Sequence, residues 1–430
     1  MKKTSAYARR KNASLGDHSR TYLELMRLLD YPGAYRHMLK VHAQVPGRAP
    51  VLMDLAYSAL RCGLHEEALR HYRKAIEASG ASVNTNIYDG LAEVCHYLKN
   101  EEELRKYAGL ALQSKRDQVA GEPRVASIEG APPAFDPGKR SENVIAYSLF
   151  GGLPRYCETS LINVDLAKDI YPEWTCRFYV DDTVPAAVVQ KLKGKGADVV
   201  QVSARQKELS GLYWRFFVMD DPTVKRFLIR DADSLVSHRE RAAVDEWLAS
   251  GQWFHTMRDR YSHTELILAG MWGGAQGVFK NVEQLIRDFV KTGRFMNARV
   301  MDQHFLRFVV WPLLSQSVCA HDSQGFEPGA RVFPTPAKQA EFEHGADFHV
   351  GMNEGSAVFS IAIGDASAGH ARWELLDEHG AVVCAYETAV PASREIRVDV
   401  PRLYGRRVQA GEWRVNVHSC RAAGGAAGAA

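Results

Sequence analysis

The 430-residue sequence predicts a multidomain fold: an N-terminal α-helical repeat, a central α/β domain on a mostly parallel sheet, and a small C-terminal antiparallel β-domain. Three patterns predict it. Small and apolar residues recur at a 34-residue interval near the start, apolar runs then alternate with helical segments, and from about residue 350 hydrophobicity alternates with period two. A 34-residue period marks stacked helix–turn–helix units, strand–helix alternation implies βαβ crossovers, and period two marks strands with one buried face.

Bulk properties narrow the function class. A hydrophobic content of 46% and a charged content of 24% are ordinary for a globular chain with room for several cores. The net charge of +3 gives no mandate for nucleic acid. Seven cysteines (62, 95, 157, 176, 319, 384 and 420) are scattered, odd in number and free of any Cys-x-x-Cys. That argues against a zinc site or a disulfide framework and for a reducing compartment. No apolar core follows the basic stretch Met1 to Gly16, and no apolar run reaches the length of a membrane span, so the expected location is cytoplasmic. Lys2, Lys3, Arg9, Arg10 and Lys11 read as a disordered basic tail whose most ambitious role is peripheral contact with the inner face of a membrane.

Residues 18–115 carry the repeat. Ala34, Met38 and Val41 are matched 34 residues on by Ala68, Tyr72 and Ala75, the last three inside GLHEEALRHYRKAIE. Leu91-Ala92, Cys95, Leu104, Ala108 and Ala111 form a looser copy. The small residues let paired helices approach and the larger ones fill the groove. This block resembles the tetratricopeptide repeat, which implies a surface for a protein partner or for self-association. The plainer alternative is a short array that caps its neighbour.

Residues 116–142, rich in proline and poor in periodicity, read as a linker. The α/β domain then spans 143–335. Its strands are Val144–Phe150, Arg177–Val180, Asp198–Val202 and Phe227–Arg230. A helix starts at a capping box, Ser237-His238-Arg239-Glu240, buries Ala243, Val244, Trp247 and Leu248, and stops at Ser250-Gly251. Residues 350–420 hold the runs VFSIAIG, ARWELLD, AVVCAYET, EIRVDV and GEWRVNVH, a small sandwich-like β-domain with a turn at Asp377-Glu378-His379-Gly380. Trp373 and Trp413, on alternating strands, are expected in its core or against a glycan. The Ala/Gly stretch 421–430 is expected to be disordered.

The chemistry concentrates at Arg230-Asp231-Ala232-Asp233, which closes the fourth strand. Two aspartates one residue apart at the carboxyl edge of an α/β sheet can hold a hard divalent cation, Mn²⁺ or Mg²⁺, against a diphosphate. Acidic pairs are also common in turns, so the surrounding blocks decide. These are Tyr147-Ser148-Leu149-Phe150-Gly151, Tyr171-Pro172-Glu173-Trp174, Trp214-Arg215-Phe216, Phe254-His255-Thr256-Met257-Arg258-Asp259, His263, Ala269-Gly270-Met271-Trp272-Gly273 and Asp302-Gln303. In this order, with the acidic pair roughly 85 residues after the first strand, residues 144–323 resemble GT-A-type (Rossmann-like) nucleotide-sugar-dependent glycosyltransferases, in particular bacterial enzymes of capsule and polysaccharide assembly.

The resemblance implies a nucleotide-sugar donor and a glycan acceptor. It implies that Asp233 and Asp231 hold the metal with His321 as a further ligand, the plain reading of His321 being a loop histidine. Tyr147, Ser148, Gly151 and Asp181 would line the nucleotide, glycine permitting close backbone approach, though Asp181 and Asp182 are equally turn or cap residues. Arg215 and Arg230 are candidates for the diphosphate or for a local carboxylate. Arg258, Gly270, Met271, Trp272, Gly273 and Gln303 would meet the sugars, with Trp272 as plain core the alternative. Asp302, Asp259 and His263 all suit a general base by type, and nothing in the sequence chooses inversion over retention. A nucleotidyltransferase fits less well, because Phe150-Gly151-Gly152-Leu153-Pro154 is too short for a phosphate loop and lacks a basic partner. The rival of another class is a helical-repeat scaffold whose α/β domain is inactive.

Overall fold

The computed structural model describes residues 6–294, 300–365 and 367–421. The expected disordered tail after Arg421, together with Lys2 and Lys3, lies outside the described residues. Arg9, Arg10 and Lys11 belong to a helix rather than to a disordered tail, since Ala6–Arg27 contains no proline and one glycine. Among the described residues no helix is long and apolar enough to cross a membrane.

The chain divides into two compact units. The first comprises 1–122 with two excursions, 258–266 and 322–332. The second comprises 123–257, 267–321 and 333–430. The expected boundaries at 115, 142, 335 and 350 are therefore not where compactness divides the chain.

The first unit holds six helices: α1 (Ala6–Arg27), α2 (Tyr31–Gln44), α3 (Ala49–Arg61), α4 (His65–Ser79), α5 (Thr85–Tyr97) and α6 (Glu101–Val119). Asp30, Asn84 and Asn100 cap α2, α5 and α6 by accepting from Gly33, Asn86 and Glu103 backbone amides at 2.8, 3.0 and 3.1 Å. Gly63 turns the chain between α3 and α4 at a φ of 75°, a conformation that glycine adopts without strain. The 34-residue pairs all lie in the core: Ala34, Met38 and Val41 on α2, and Ala68, Tyr72 and Ala75 on α4.

The excursions are bound in by charge. Asp322 accepts from the backbone amides of Gln324, Gly325, Phe326 and Glu327 at 2.7–3.1 Å, which shapes that loop. Arg258 donates to the Glu265 and Leu266 carbonyls at 2.8 Å and pairs with Glu327, which also binds Arg116 at 2.8 Å. Lys115 bridges Asp89 and the Thr264 carbonyl, both at 2.7 Å.

The second unit is built on a seven-stranded sheet: β1 (Asn143–Leu149), β2 (Thr175–Val180), β3 (Asp198–Gln201), β4 (Arg226–Ile229), β5 (Phe254–Arg258), β6 (Trp272–Ala275) and β7 (Val318–Asp322). The last residues of β5 and β7, Arg258 and Asp322, count with the first unit. The strand order is β3-β2-β1-β4-β6-β5-β7. β1 is parallel to β2 and β4, and β2 to β3, while β6 runs antiparallel to β4 and β5. Helices α7 (Pro154–Ile170) and α8 (Ala186–Gly194) connect strands of the parallel part, and α9 (His238–Ala249) leads from β4 to β5. Beyond it come α10 (Val282–Lys291), α11 (Met301–Phe305) and α12 (Trp311–Leu314), the last two joined by a π turn over Leu306–Val310.

The core beside β1 and β2 packs Tyr147, Leu161, Tyr171, Trp174, Phe178, Val180, Leu228 and Trp247. Half of the expected capping box forms. Ser237 accepts from the Glu240 amide at 3.2 Å, but the Glu240 side chain turns inward to Arg230 and Tyr171, and Glu343 binds the His238 and Arg239 amides instead at 2.9 and 3.2 Å.

The rest of this unit is antiparallel: β8 (Ser356–Ala362), β9 (Ala368–Leu376), β10 (Val382–Ala389), β11 (Glu395–Pro401), α13 (Arg402–Gln409) and β12 (Arg414–Arg421). Sheets β10-β9-β12 and β11-β8 enclose Trp373, Leu375, Ile396, Val398 and Val400, so Trp373 is core and Trp413 packs against it. Asp377 accepts from His379 and Ala381 at 2.9 and 2.8 Å in the expected turn. These strands form no separate compact body: Tyr386 donates to the buried Glu158 of α7 at 2.6 Å.

Candidate functional site

The register places the site. Ala146 pairs with Ile229, and the Arg230 amide donates to the Ala146 carbonyl at 3.1 Å. Two residues further along each strand, Ser148 and Asp231 lie at the same carboxyl edge. There they line a cavity of about 380 Å³ in the second unit with Phe150, Gly151, Leu153, Tyr156, Leu212, Arg215, Ala232 and Asp233.

Arg215 organises the polar side. It sits in the 3-10 turn Gly211–Asp220, where its amide donates to Ser148 Oγ at 2.9 Å. Its guanidinium donates to the Arg230 carbonyl at 3.0 Å, to Asp231 Oδ1, and to Asp302 Oδ2 at 2.9 Å. Asp302 is buried, and burial pushes its carboxyl above the usual carboxylate range despite Arg215. Asp231 remains partly exposed. Gly270 lies against it: a Cβ there would stand 2.5 Å from Asp231 Cγ and closer still to Oδ2.

Asp233 lines the same cavity and is partly buried. Burial first, and then the Asp231 charge, push its pKa up to about 6, while Arg155 and Arg215 act in the opposite sense. Its carboxylate accepts from Asn353 Nδ2 and its carbonyl from the Glu354 amide at 2.7 Å. Phe150, Leu153, Tyr156 and Leu212 supply an apolar wall, and the N-terminus of α7, opened by Pro154, lies beside it.

Several expected site residues fall elsewhere. Tyr147 is fully buried and stacked on Phe178 at 4.7 Å, so it is core rather than a nucleotide contact. Asp181 closes its own turn by accepting from the Thr183 amide at 3.1 Å, and Asp182 pairs with Lys207. Arg230 is buried against Glu240 at 3.0 Å and the Trp272 carbonyl at 3.0 Å, which is the local-carboxylate reading. Met271 and Trp272 belong to the core, the latter edge-on to Phe227 at 5.6 Å, and Gly273 and Gly274 leave room for the strands beside them. Gln303 lends only a backbone amide to Asp302, at 3.0 Å.

Arg258, Asp259 and His263 lie in the first unit, where the Asp259 amide donates to His263 Nδ1 at 2.9 Å and Arg258 is consumed by carbonyls and Glu327. His321 is not brought to the aspartates. It is fully buried on β7, three strands from β4, a lateral offset of roughly 14 Å at ~4.8 Å per strand. Its ring meets His255 Nε2 at 2.9 Å and Glu246 at 3.2 Å. Among the described residues no group of three or more His, Cys, Asp or Glu is arranged to hold a metal ion.

Reading from sequence misses Arg155, Tyr156, Leu212 and Asn353. Arg155 follows Gly151-Gly152-Leu153-Pro154 directly, so a basic residue does accompany that loop; it lies over the Tyr156 ring at 4.5 Å and its charge acts on Asp233. Asn353 carries no local signal, standing 120 residues from its partner.

No protein-family model and no curated protein matches the chain. Two solved structures are similar to part of it. A variant of the O-GlcNAc transferase of Thermobaculum terrenum is 15% identical over 45% of this chain and 42% of its own, with a TM-score of 0.24. A mannosyltransferase of Pyrobaculum calidifontis, in complex with GDP-Man and Mn²⁺, is 12% identical over 48% of this chain and 58% of its own, with a TM-score of 0.26. The chain thus spans about half the length of the structures it matches, and at scores below one half the functional reading rests on the cleft itself.

Proposed function

We propose that the chain is a metal-dependent, GT-A-type glycosyltransferase that moves a sugar from a nucleotide-sugar donor to a glycan acceptor in surface polysaccharide assembly. One observation carries the reading: Asp231, Asp233 and Arg215, the last held from behind by buried Asp302, line one cavity at the carboxyl edge of β1 and β4 together with apolar side chains. Open α/β sheets bind ligands at that edge.

The parts match the chemistry of the donor. Phe150, Leu153, Tyr156 and Leu212 suit a base and ribose, and the α7 N-terminus suits a phosphate. The donor set for a cation is two carboxylates, Asp233 and Asp231, so phosphate oxygens and water would complete a hard ion's shell. The space that Gly270 leaves around Asp231 supports this fit. Bound there, the cation would supply Lewis-acid stabilisation of the leaving diphosphate. Arg215 bonds both Asp231 and Asp302, and that link to the cavity favours Asp302 over Asp259 and His263 as the base candidate.

The test is a screen of the full chain against nucleotide sugars with Mn²⁺ or Mg²⁺, reading nucleotide release and thermal shift. A hit that disappears on chelation and in Asp231→Ala and Asp233→Ala supports the reading. If the intact, folded protein binds no nucleotide under any metal condition, the scaffold alternative takes its place.

A further inference from the structure

The helical unit contains a cavity of about 350 Å³, bounded by Tyr22 of α1, Asp54 and Tyr57 of α3, Tyr72 of α4, and Asp89 and Glu93 of α5. Its charged lining is entirely acidic. Two of the acids are already matched: Asp89 accepts from Lys115 and from Thr264 Oγ1, both at 2.7 Å, and Glu93 pairs with Arg61. Asp54 is different. Its carboxylate has no ion pair or hydrogen bond among the described residues, and burial pushes it up to about 6.

A second observation points into the same space. Tyr72 is 1% exposed and lines the cavity, yet its hydroxyl has no hydrogen-bond partner among the described residues. With the rest of the side chain enclosed, the cavity is where this hydroxyl can find a partner. Gly90 makes room for it: a Cβ there would collide with the Tyr72 ring, 2.8 Å from Cε1 and closer to Cζ.

A carboxylate only accepts, and a phenol oxygen accepts as well as donates. The group that completes such a cavity brings donors and positive charge and needs no acceptor, which describes an ammonium or a guanidinium. The Tyr22 and Tyr72 rings add a favourable wall for a cation, whereas the Tyr57 ring already has Arg61 over it at 5.0 Å. A bare metal ion fits less well, because Asp89 and Glu93 are spent and Asp54 alone would remain to bind it.

We propose that the helical unit carries an organic-cation site in which Asp54 and the Tyr72 hydroxyl receive an ammonium or guanidinium group, borne by a peptide side chain or by a free amine. The proposal is independent of the cleft at β4. It is tested by calorimetric titration of the full chain with acetyl-Gly-Arg-Gly-amide, acetyl-Gly-Lys-Gly-amide, the uncharged citrulline analogue, and agmatine. The charged probes should bind at least tenfold tighter than the citrulline peptide, and Asp54→Asn should weaken them at least tenfold without lowering the melting temperature. Tyr72→Phe, which keeps the ring, should weaken them severalfold and carries the same test if Asp54→Asn fails to fold. Tighter binding of the peptides than of agmatine assigns the cation to a protein partner, and the reverse assigns it to a free amine. Equal binding of the citrulline peptide, no binding of any charged probe, or undiminished binding by both variants overturns the site.

Discussion

Gly270 lies so close to Asp231 that any side chain there would collide with the aspartate's carboxylate. The glycine is thus part of how Asp231 reaches both Arg215 and the cavity. Gly270→Ala should displace the carboxylate, lower nucleotide release at least tenfold, and cost about 1–3 kcal/mol of stability, the usual range for overpacking. Unchanged turnover and melting in the alanine variant would show that Asp231 has room to move and that the close approach is incidental.

Arg215 joins two carboxylates, one of them buried, so removing it leaves charge without a partner. Arg215→Met should destabilise by about 3 kcal/mol, somewhat below the full penalty for a broken buried pair because Asp231 is partly exposed. Adding Asp302→Asn should return part of that loss. A double-mutant cycle by chemical denaturation should give a coupling of about 0.5–3 kcal/mol; additive effects would mean that the pair acts independently.

Asp233 separates metal binding from stability. Burial and Asp231 both disfavour its charge, so Asp233→Asn should melt at or above the temperature of the unaltered protein when metal is absent. The cost should appear as loss of the thermal shift produced by Mn²⁺, since any ligand that binds only the native state raises its stability. An unchanged Mn²⁺ shift in this variant would remove Asp233 from the proposed donor set.

His255 sets an acid limit. Burial, His321 and Arg230 hold its pKa well below the ordinary histidine value of 6.5, so the unfolded chain binds the proton that the native state refuses. Stability from this group is complete above about pH 6.5 and declines as pH falls, by up to about 1.4 kcal/mol per unit. Melting temperatures between pH 8 and pH 5 should fall on the acid side, and His255→Phe, which keeps a ring against Trp247, should flatten the slope. A slope unaltered in the phenylalanine variant would assign the acid sensitivity to other groups.

The parallel half of the sheet was readable because strands buried on both faces appear as continuous apolar runs. Val144–Leu149 and Phe227–Ile229 announce themselves this way, and Asp231 and Asp233 follow from the second. The antiparallel half was not. β6 is four residues long with two central glycines, too short to show alternation, so Met271 and Trp272 resemble a sugar platform while they fill the core. Arg230 gives no hint that its partner lies ten residues on, in a glutamate that also looks like a helix cap. The same holds for Asn353 and Asp233, whose contact depends on how the chain returns after 120 residues. Local pattern carries the elements, whereas partnerships across the fold decide which polar residues remain available for chemistry.

The two excursions into the helical unit also constrain how the polypeptide can be made and divided. Because residues 322–332 belong to that unit, with Glu327 held by Arg116, it cannot be completed until residue 332 of 430 has been synthesised. The helices that emerge first must wait for the last of their own partners. A cut after residue 115 would therefore release no self-contained module: it would strand the loop that Arg116 anchors and take Thr264 away from Lys115 and Asp89. Exchange of the repeat between proteins would have to carry all three stretches of sequence together.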